Sequence, residues 1–75
     1  MKRYFICDDY GDFDTDELKV SNESKAIDKA DATWERLTDH DKNRRESFYL
    51  ISINSEDVEN DIPNLDKADV VKEYK

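Results

Sequence analysis

The stretch Glu46-Ser-Phe-Tyr-Leu-Ile-Ser-Ile53 is the most strongly β-forming segment of the chain. Its aromatic and β-branched residues predict a strand. Successive side chains of a strand point to opposite faces, which puts Phe48 and Leu50 on one side. The other side carries Tyr49, Ile51 and Ile53. Because both faces are apolar, we expect this strand to lie in the centre of a sheet.

An amphipathic helix is predicted upstream of this strand, from Glu23 to Leu37. Ser21 or Asn22 can cap its first free backbone N–H groups. Its apolar residues recur at intervals of three and four, which forms a single stripe along a helix. The stripe consists of Ala26, Ile27, Ala30, Thr33, Trp34 and Leu37. Trp34 is the largest of them, and we expect it to anchor the helix to the sheet.

Three further elements are predicted in the first half of the chain. Arg3 to Asp8 is aromatic and β-branched, which predicts a strand, and Glu17 to Val20 predicts a short second one. Thr38-Asp39-His40-Asp41 has the Thr-x-x-Asp spacing of a capping box. A break at Thr38 and a one-turn helix from Asp39 to Asn43 are therefore expected.

The last third of the chain gives weaker signals. Residues 54–66 are polar and acidic and contain the only proline, Pro63, so a long loop is predicted, either functional or mobile. Residues 65–74 fit a helix, or an edge strand around Val70 and Val71 in which charged neighbours discourage aggregation. We favour the strand.

Together these elements predict an α+β fold with residues 1–75 as a single domain. A small antiparallel sheet of three or four strands would carry one amphipathic helix on one face. The second sheet face, with Phe5, Tyr49 and Ile51, would then have no cover. Exposed apolar faces tend to mark partner surfaces. We therefore expect this uncovered sheet face to bind a protein partner, or to allow a homodimer.

The charge balance narrows the classes of partner. Twenty acidic residues against twelve basic ones give a net charge of −8, which argues against direct nucleic-acid or anionic-membrane binding. No apolar stretch approaches the ~20 residues of a membrane span, and the apolar run near the N-terminus is too short for a signal peptide. With one cysteine and no disulfide framework, a cytoplasmic protein is expected.

The acidic residues are concentrated in two segments. Residues 8–17 hold six carboxylates and no basic residue, and residues 56–66 form the second segment. Such clusters keep a protein soluble or meet a basic partner. The candidate acidic partner surface comprises Asp8, Asp9, Asp12, Asp14, Asp16, Glu17, Glu56, Asp57, Glu59 and Asp61.

Some acidic residues in and after the first acidic segment have the spacing of the calcium ligands in an EF-hand loop. Loop positions one, three, five and twelve are occupied by Asp12, Asp14, Asp16 and Glu23. Position six is Glu17, however, where the sharp turn needs glycine. We expect a solvated acidic loop that binds calcium weakly at most, and no metal site.

No set of residues predicts catalysis. Cys7 lies in an apolar strand, where a thiol stays protonated. His40 is the only histidine, so a zinc site lacks ligands. Gly11 is the only glycine, which excludes a glycine-rich phosphate loop. We expect a non-enzyme without a cofactor.

Residues 26–52, Ala-Ile-Asp-Lys-Ala-Asp-Ala-Thr-Trp-Glu-Arg-Leu-Thr-Asp-His-Asp-Lys-Asn-Arg-Arg-Glu-Ser-Phe-Tyr-Leu-Ile-Ser, carry a resemblance. They resemble small uncharacterised acidic proteins of phages and mobile elements of low-GC Gram-positive bacteria. In that group an Ala-rich helix ending in Trp-x-x-Leu-Thr precedes a charged turn and a strand. The resemblance implies a phage-type accessory protein, with no assigned activity and no functional residue.

Two functions follow as hypotheses. The first is a small non-catalytic protein-interaction module that docks through an apolar sheet face or the acidic segments. The alternative is a DNA-mimic inhibitor, whose carboxylates in residues 8–17 and 56–66 imitate a phosphate array. Such a mimic would occupy a basic nucleic-acid-binding groove of a host defence or DNA-processing protein.

Overall fold

The computed structural model describes residues 1–9 and 14–75. The strands are β1 (Lys2–Asp8), β2 (Asp14–Leu18), β3 (Phe48–Asn54), β4 (Val58–Glu59), β5 (Ile62–Pro63) and β6 (Asp69–Glu73). The α-helices are α1 (Glu23–Arg36) and α2 (Asp39–Arg44). Two short 3-10 turns lie at Ser55–Asp57 and Leu65–Lys67.

Four strands form one antiparallel sheet in the order β2-β1-β3-β6, which confirms the predicted α+β fold. β1 and β3 pair along their whole length, from Lys2 opposite Asn54 to Asp8 opposite Phe48. The central position predicted for β3 is confirmed, and the tail forms an edge strand. β2 begins three residues earlier than predicted, at Asp14, and ends two residues earlier, at Leu18. The N-cap of α1 follows at Asn22.

The helix packs on one face of the sheet, as predicted. The Asn22 side chain accepts a hydrogen bond from the backbone N–H of Lys25 at 2.9 Å and so fixes where α1 begins. Ala26 and Ala30 are completely buried against the sheet because their small side chains allow close approach. Trp34 packs near them, with its ring 5.0 Å from that of Phe48.

The short helix α2 confirms the predicted capping turn. The Thr38 hydroxyl accepts a hydrogen bond from the backbone N–H of Asp41 at 3.1 Å. α2 runs one residue further than predicted, to Arg44. Neither α1 nor α2, the helices of the described residues, is long and apolar enough to cross a membrane.

The second sheet face is covered, so the expected bare face is wrong. Phe5 and Ile51 are each 1% exposed. They form a second core cluster with Cys7 and Ile53, on which Val58 and Ala68 pack. Residues 55–68, here called the covering segment, thus fold over this face as two 3-10 turns and a small hairpin.

The covering segment also corrects the expectation of a long loop. Most of its side chains are polar and face solvent, and the buried Pro63 is an exception. Its inward-facing apolar side chains are too few and too irregularly spaced to give a helix or strand period. A homodimer through an uncovered sheet face therefore loses its structural basis.

Candidate partner-binding surface

Four of the ten predicted acidic residues are held in internal contacts. They are Asp8, Asp9, Glu17 and Asp61. Asp12 lies outside the described residues, and Asp14 is described only as the first residue of β2. The others are three exposed residues, Asp16, Glu56 and Glu59, and the half-buried Asp57. The eight predicted carboxylates whose side chains are described thus divide into four with internal partners and four without a partner among the described residues.

Arg3 joins the first acidic segment to the covering segment. Its guanidinium donates two hydrogen bonds to the Glu17 carboxylate, at 2.7 and 2.6 Å, and a third to Asp61 at 3.1 Å. The Arg3 hydrogen bonds hold the pKa of the Glu17 carboxyl below its usual value. Asp61 reaches Arg3 from the turn of the β4–β5 hairpin. There Asn60 and Asp61 adopt the positive φ angles that a two-residue hairpin loop requires.

Asp9, which follows the last residue of β1, is hydrogen-bonded to the residues just before β3. Its carboxylate accepts hydrogen bonds from the backbone N–H groups of Glu46, at 2.9 Å, and Ser47, at 3.0 Å. The bond from Ser47, with that from Glu46, lowers the pKa of the Asp9 carboxyl. Asp8 lies beside it and pairs with Arg45 at 3.4 Å. These two aspartates therefore hold the start of β3 in place.

Acidification is expected to destabilise the fold through Asp9, Glu17 and Asp31. Each has a carboxyl pKa lowered in the folded state, for Asp31 chiefly by its hydrogen bond from Lys72. A lowered folded-state pKa gives stability that is present above the unfolded-state value, near 4, and lost as the pH falls further. Urea unfolding between pH 6 and pH 2.5 should show a falling midpoint.

Two variants make this pH test specific. Glu17→Gln should be less stable than the wild type at pH 6 and should lose less stability on acidification, because its carboxyl no longer titrates. Glu35→Gln makes the same change at an exposed position of α1 and should follow the wild-type profile. A wild-type midpoint that stays level or rises between pH 5 and pH 2.5 would contradict the prediction.

Cys7 and His40 occupy different environments. Cys7 is completely buried, and burial, with the neighbouring Asp8 charge, raises the pKa of its thiol to about 12. His40 is exposed on α2. Within residues 1–9 and 14–75, no three His, Cys, Asp or Glu side chains are grouped to hold a metal ion. Within the EF-hand-like segment, Asp14 and Asp16 lie in the extended strand β2 and Glu23 begins α1, whereas a calcium loop coils around its ion.

The free carboxylates of the covering segment surround a shallow depression. Its volume is about 510 Å³. It is lined by Glu56, Asp57, Glu59, Asn60, Ile62, Pro63 and Asn64, and is here called the hairpin depression. Ile62 is 68% exposed within it. The feature thus combines negative charge with an accessible apolar side chain.

A second, smaller groove lies on the same face of the sheet. Its volume is about 180 Å³. It is lined by Tyr49, Ile51, Leu65, Ala68, Val70 and Glu73, and is here called the β6 groove. The sequence pattern did not indicate it, because its walls come from three separate parts of the chain. The apolar residues Leu65, Ala68 and Val70 in a charged tail were the available signal.

Similarity to known proteins does not identify either surface. No family model matches the chain, and no curated protein or solved structure is significantly similar to it. The chemistry of the surface itself is therefore the basis for assigning a function.

Proposed function

We propose that this chain is a cytoplasmic, non-catalytic protein-interaction module that binds a basic surface of a partner protein through the hairpin depression. One observation supports this function above the others. Glu56, Asp57 and Glu59 form no ion pair within the described residues, and they surround the exposed Ile62. Apolar contact supplies affinity in protein interfaces, while complementary charge supplies orientation and a faster encounter.

The division of the carboxylates favours this function over the DNA-mimic alternative. A mimic needs a long array of exposed negative charge. Asp8, Asp9, Glu17 and Asp61 instead stabilise the fold, so fewer carboxylates remain to imitate phosphates. The resemblance of residues 26–52 to phage and mobile-element proteins supports an accessory role for the module in that context.

Partner capture tests the proposed function. The tagged full chain is incubated with host lysate at 50 and 500 mM salt, and captured proteins are identified by mass spectrometry. A partner held by apolar and charged contacts together should remain detectable at high salt, whereas capture by a DNA mimic should fall steeply because exposed charges are screened. At 50 mM salt, where charge contributes to affinity, the variant Glu56→Gln/Asp57→Asn/Glu59→Gln should capture much less of the partner.

A matched control separates the depression from net charge. Asp28→Asn/Glu35→Gln/Glu46→Gln removes the same number and type of carboxylates from exposed positions outside it. This control should retain the partner. Thermal melting of both variants shows whether each is folded. Equal loss in the two variants would mean that overall charge, not the hairpin depression, governs binding, and no enriched protein at either salt would refute the function.

A further inference from the structure

We propose that the partner also supplies an extended segment that pairs with β6 as a fifth strand of the sheet. This segment places an apolar side chain in the β6 groove and a lysine or arginine beside Glu73. The inference rests on the proposed function, because it specifies which part of a basic partner the module binds.

β6 presents an open edge to such a segment. Within the described residues it pairs as a strand with β3 alone, so its outer edge is unpaired. An unpaired edge of this kind offers backbone N–H and C=O groups to an added strand. The opposite edge, β2, suits the role less, because its Glu17 carboxylate is already bound by Arg3 and Lys19.

The register of β6 puts two recognition residues on one face. Val70 lies opposite Ile51, and Glu73 lies opposite Tyr49. Val70 and Glu73 are three residues apart while Ile51 and Tyr49 are two apart, and the difference is taken up by an irregularity in strand pairing between Leu50 and Ile51. Residues opposite each other on paired strands point to the same face of a sheet. Because Tyr49 and Ile51 point to the second face, Val70 and Glu73 also point to that face. An added strand would therefore present one side chain near Val70 and another near Glu73 on that same face.

The groove beside these residues is apolar and open. Ile51 forms its base, while Leu65 and Val70 in its walls are 40% and 54% exposed. Its volume of about 180 Å³ has room for an aliphatic side chain. Filling it would remove the exposed surface of Leu65 and Val70 from water, which favours binding.

The negative charge of the β6 groove favours a partner segment with a lysine or arginine at the position beside Glu73. Glu73 is the one ionisable carboxylate that lines it, and it forms no ion pair within the described residues. Lys72 is engaged elsewhere, 2.8 Å from Asp31 of α1. A second copy of the chain is the weaker occupant, because each copy carries a net charge of −8 and like charges oppose association.

Peptide titration tests the inference on the intact chain. The probe is the acetylated, amidated peptide Thr-Val-Thr-Lys-Thr-Val-Thr-Lys, in which valine and lysine alternate along one face of a strand. It is added to the ¹⁵N-labelled protein, and binding is followed by amide chemical shifts. Shifts are expected in residues 49–51 and 65–73. A peptide with glutamate at both lysine positions should bind about tenfold more weakly or worse, and N-methylation of alternate amides should abolish binding because it blocks strand pairing.

Two surface variants of the protein complete the test. Val70→Asp should abolish the shifts, and Glu73→Lys should reverse the preference toward the glutamate peptide. Both positions are exposed, and an unchanged melting temperature would show that each variant is folded. The inference is wrong if the lysine peptide causes no shifts in residues 65–73, if the glutamate peptide binds equally well, or if sedimentation shows a dimer that Val70→Asp dissociates.

The two proposals fail in distinguishable ways. If the peptide does not bind at β6 while partner capture still depends on Glu56, Asp57 and Glu59, the hairpin depression remains the binding surface and strand addition is refuted. If the peptide binds at β6 while capture is indifferent to those three carboxylates, the role of the hairpin depression is refuted.

Discussion

Replacing Ile51 with alanine is expected to destabilise the protein by about 3 kcal/mol, as much as Leu50→Ala on the opposite face of β3. Both side chains are fully or almost fully buried, Leu50 under α1 and Ile51 under the covering segment. Each truncation removes apolar contacts and leaves a cavity. Because a domain of this size unfolds with a free energy of about 5 kcal/mol, both variants should be close to unfolding at 37 °C.

Urea unfolding followed by circular dichroism measures both effects. Val70→Ala is the matched control, since it shortens an aliphatic side chain on the same sheet face where that side chain is largely exposed. It should cost less than about 1 kcal/mol. If Ile51→Ala cost as little as this control while Leu50→Ala cost about 3 kcal/mol, the covering segment would not pack on the sheet.

Replacing Trp34 with alanine is expected to lower the free energy of unfolding by about 2 kcal/mol, the second large effect. Its indole ring lies 5.0 Å from the Phe48 ring and 5.9 Å from the Tyr74 ring, which joins α1 to β3 and the chain end. The Lys42 ammonium lies 5.0 Å over the same ring and adds a cation–π contact. The side chain is half-buried, so its loss should cost less than that of a fully buried tryptophan.

Trp34→Phe keeps an aromatic ring at this site and should cost less than half as much. Glu35→Ala truncates the neighbouring exposed residue of α1 and should have little effect. Circular dichroism is again the readout, because the variants lack the only tryptophan. A Trp34→Ala variant as stable as Glu35→Ala would show that the aromatic cluster does not attach α1 to the sheet.

The elements with a strong local period were predictable from the sequence. α1 has a stripe at intervals of three and four, and β3 alternates between two apolar sets, so both were placed to within two residues. The caps at Asn22 and Thr38 were also predictable, because a capping side chain bonds to a backbone group only two or three residues away. The tail strand was favoured on weaker grounds and is confirmed as β6.

The sequence predicted which acidic residues are present, but not which of them form contacts within the folded chain. Glu17 and Asp61 are 44 residues apart in sequence, yet both bind Arg3 of β1. Asp9 accepts hydrogen bonds from backbone groups 37 and 38 residues away. Nothing in the local spacing distinguishes these carboxylates from the free ones at Glu56 and Glu59, because their partners are brought to them by strand pairing.

The central strand, the helix, its caps and the overall negative charge therefore follow from the residues of the chain and their order. The helix and its caps depend on interactions between near neighbours along the chain, the strand follows from the alternation of its own side chains, and the net charge follows from composition alone. That β3 is covered on both faces became evident from the folded chain, because the covering segment packs on the sheet through a few scattered residues such as Val58 and Ala68. The same folding formed the hairpin depression and the β6 groove, whose walls require residues that are distant in sequence to meet.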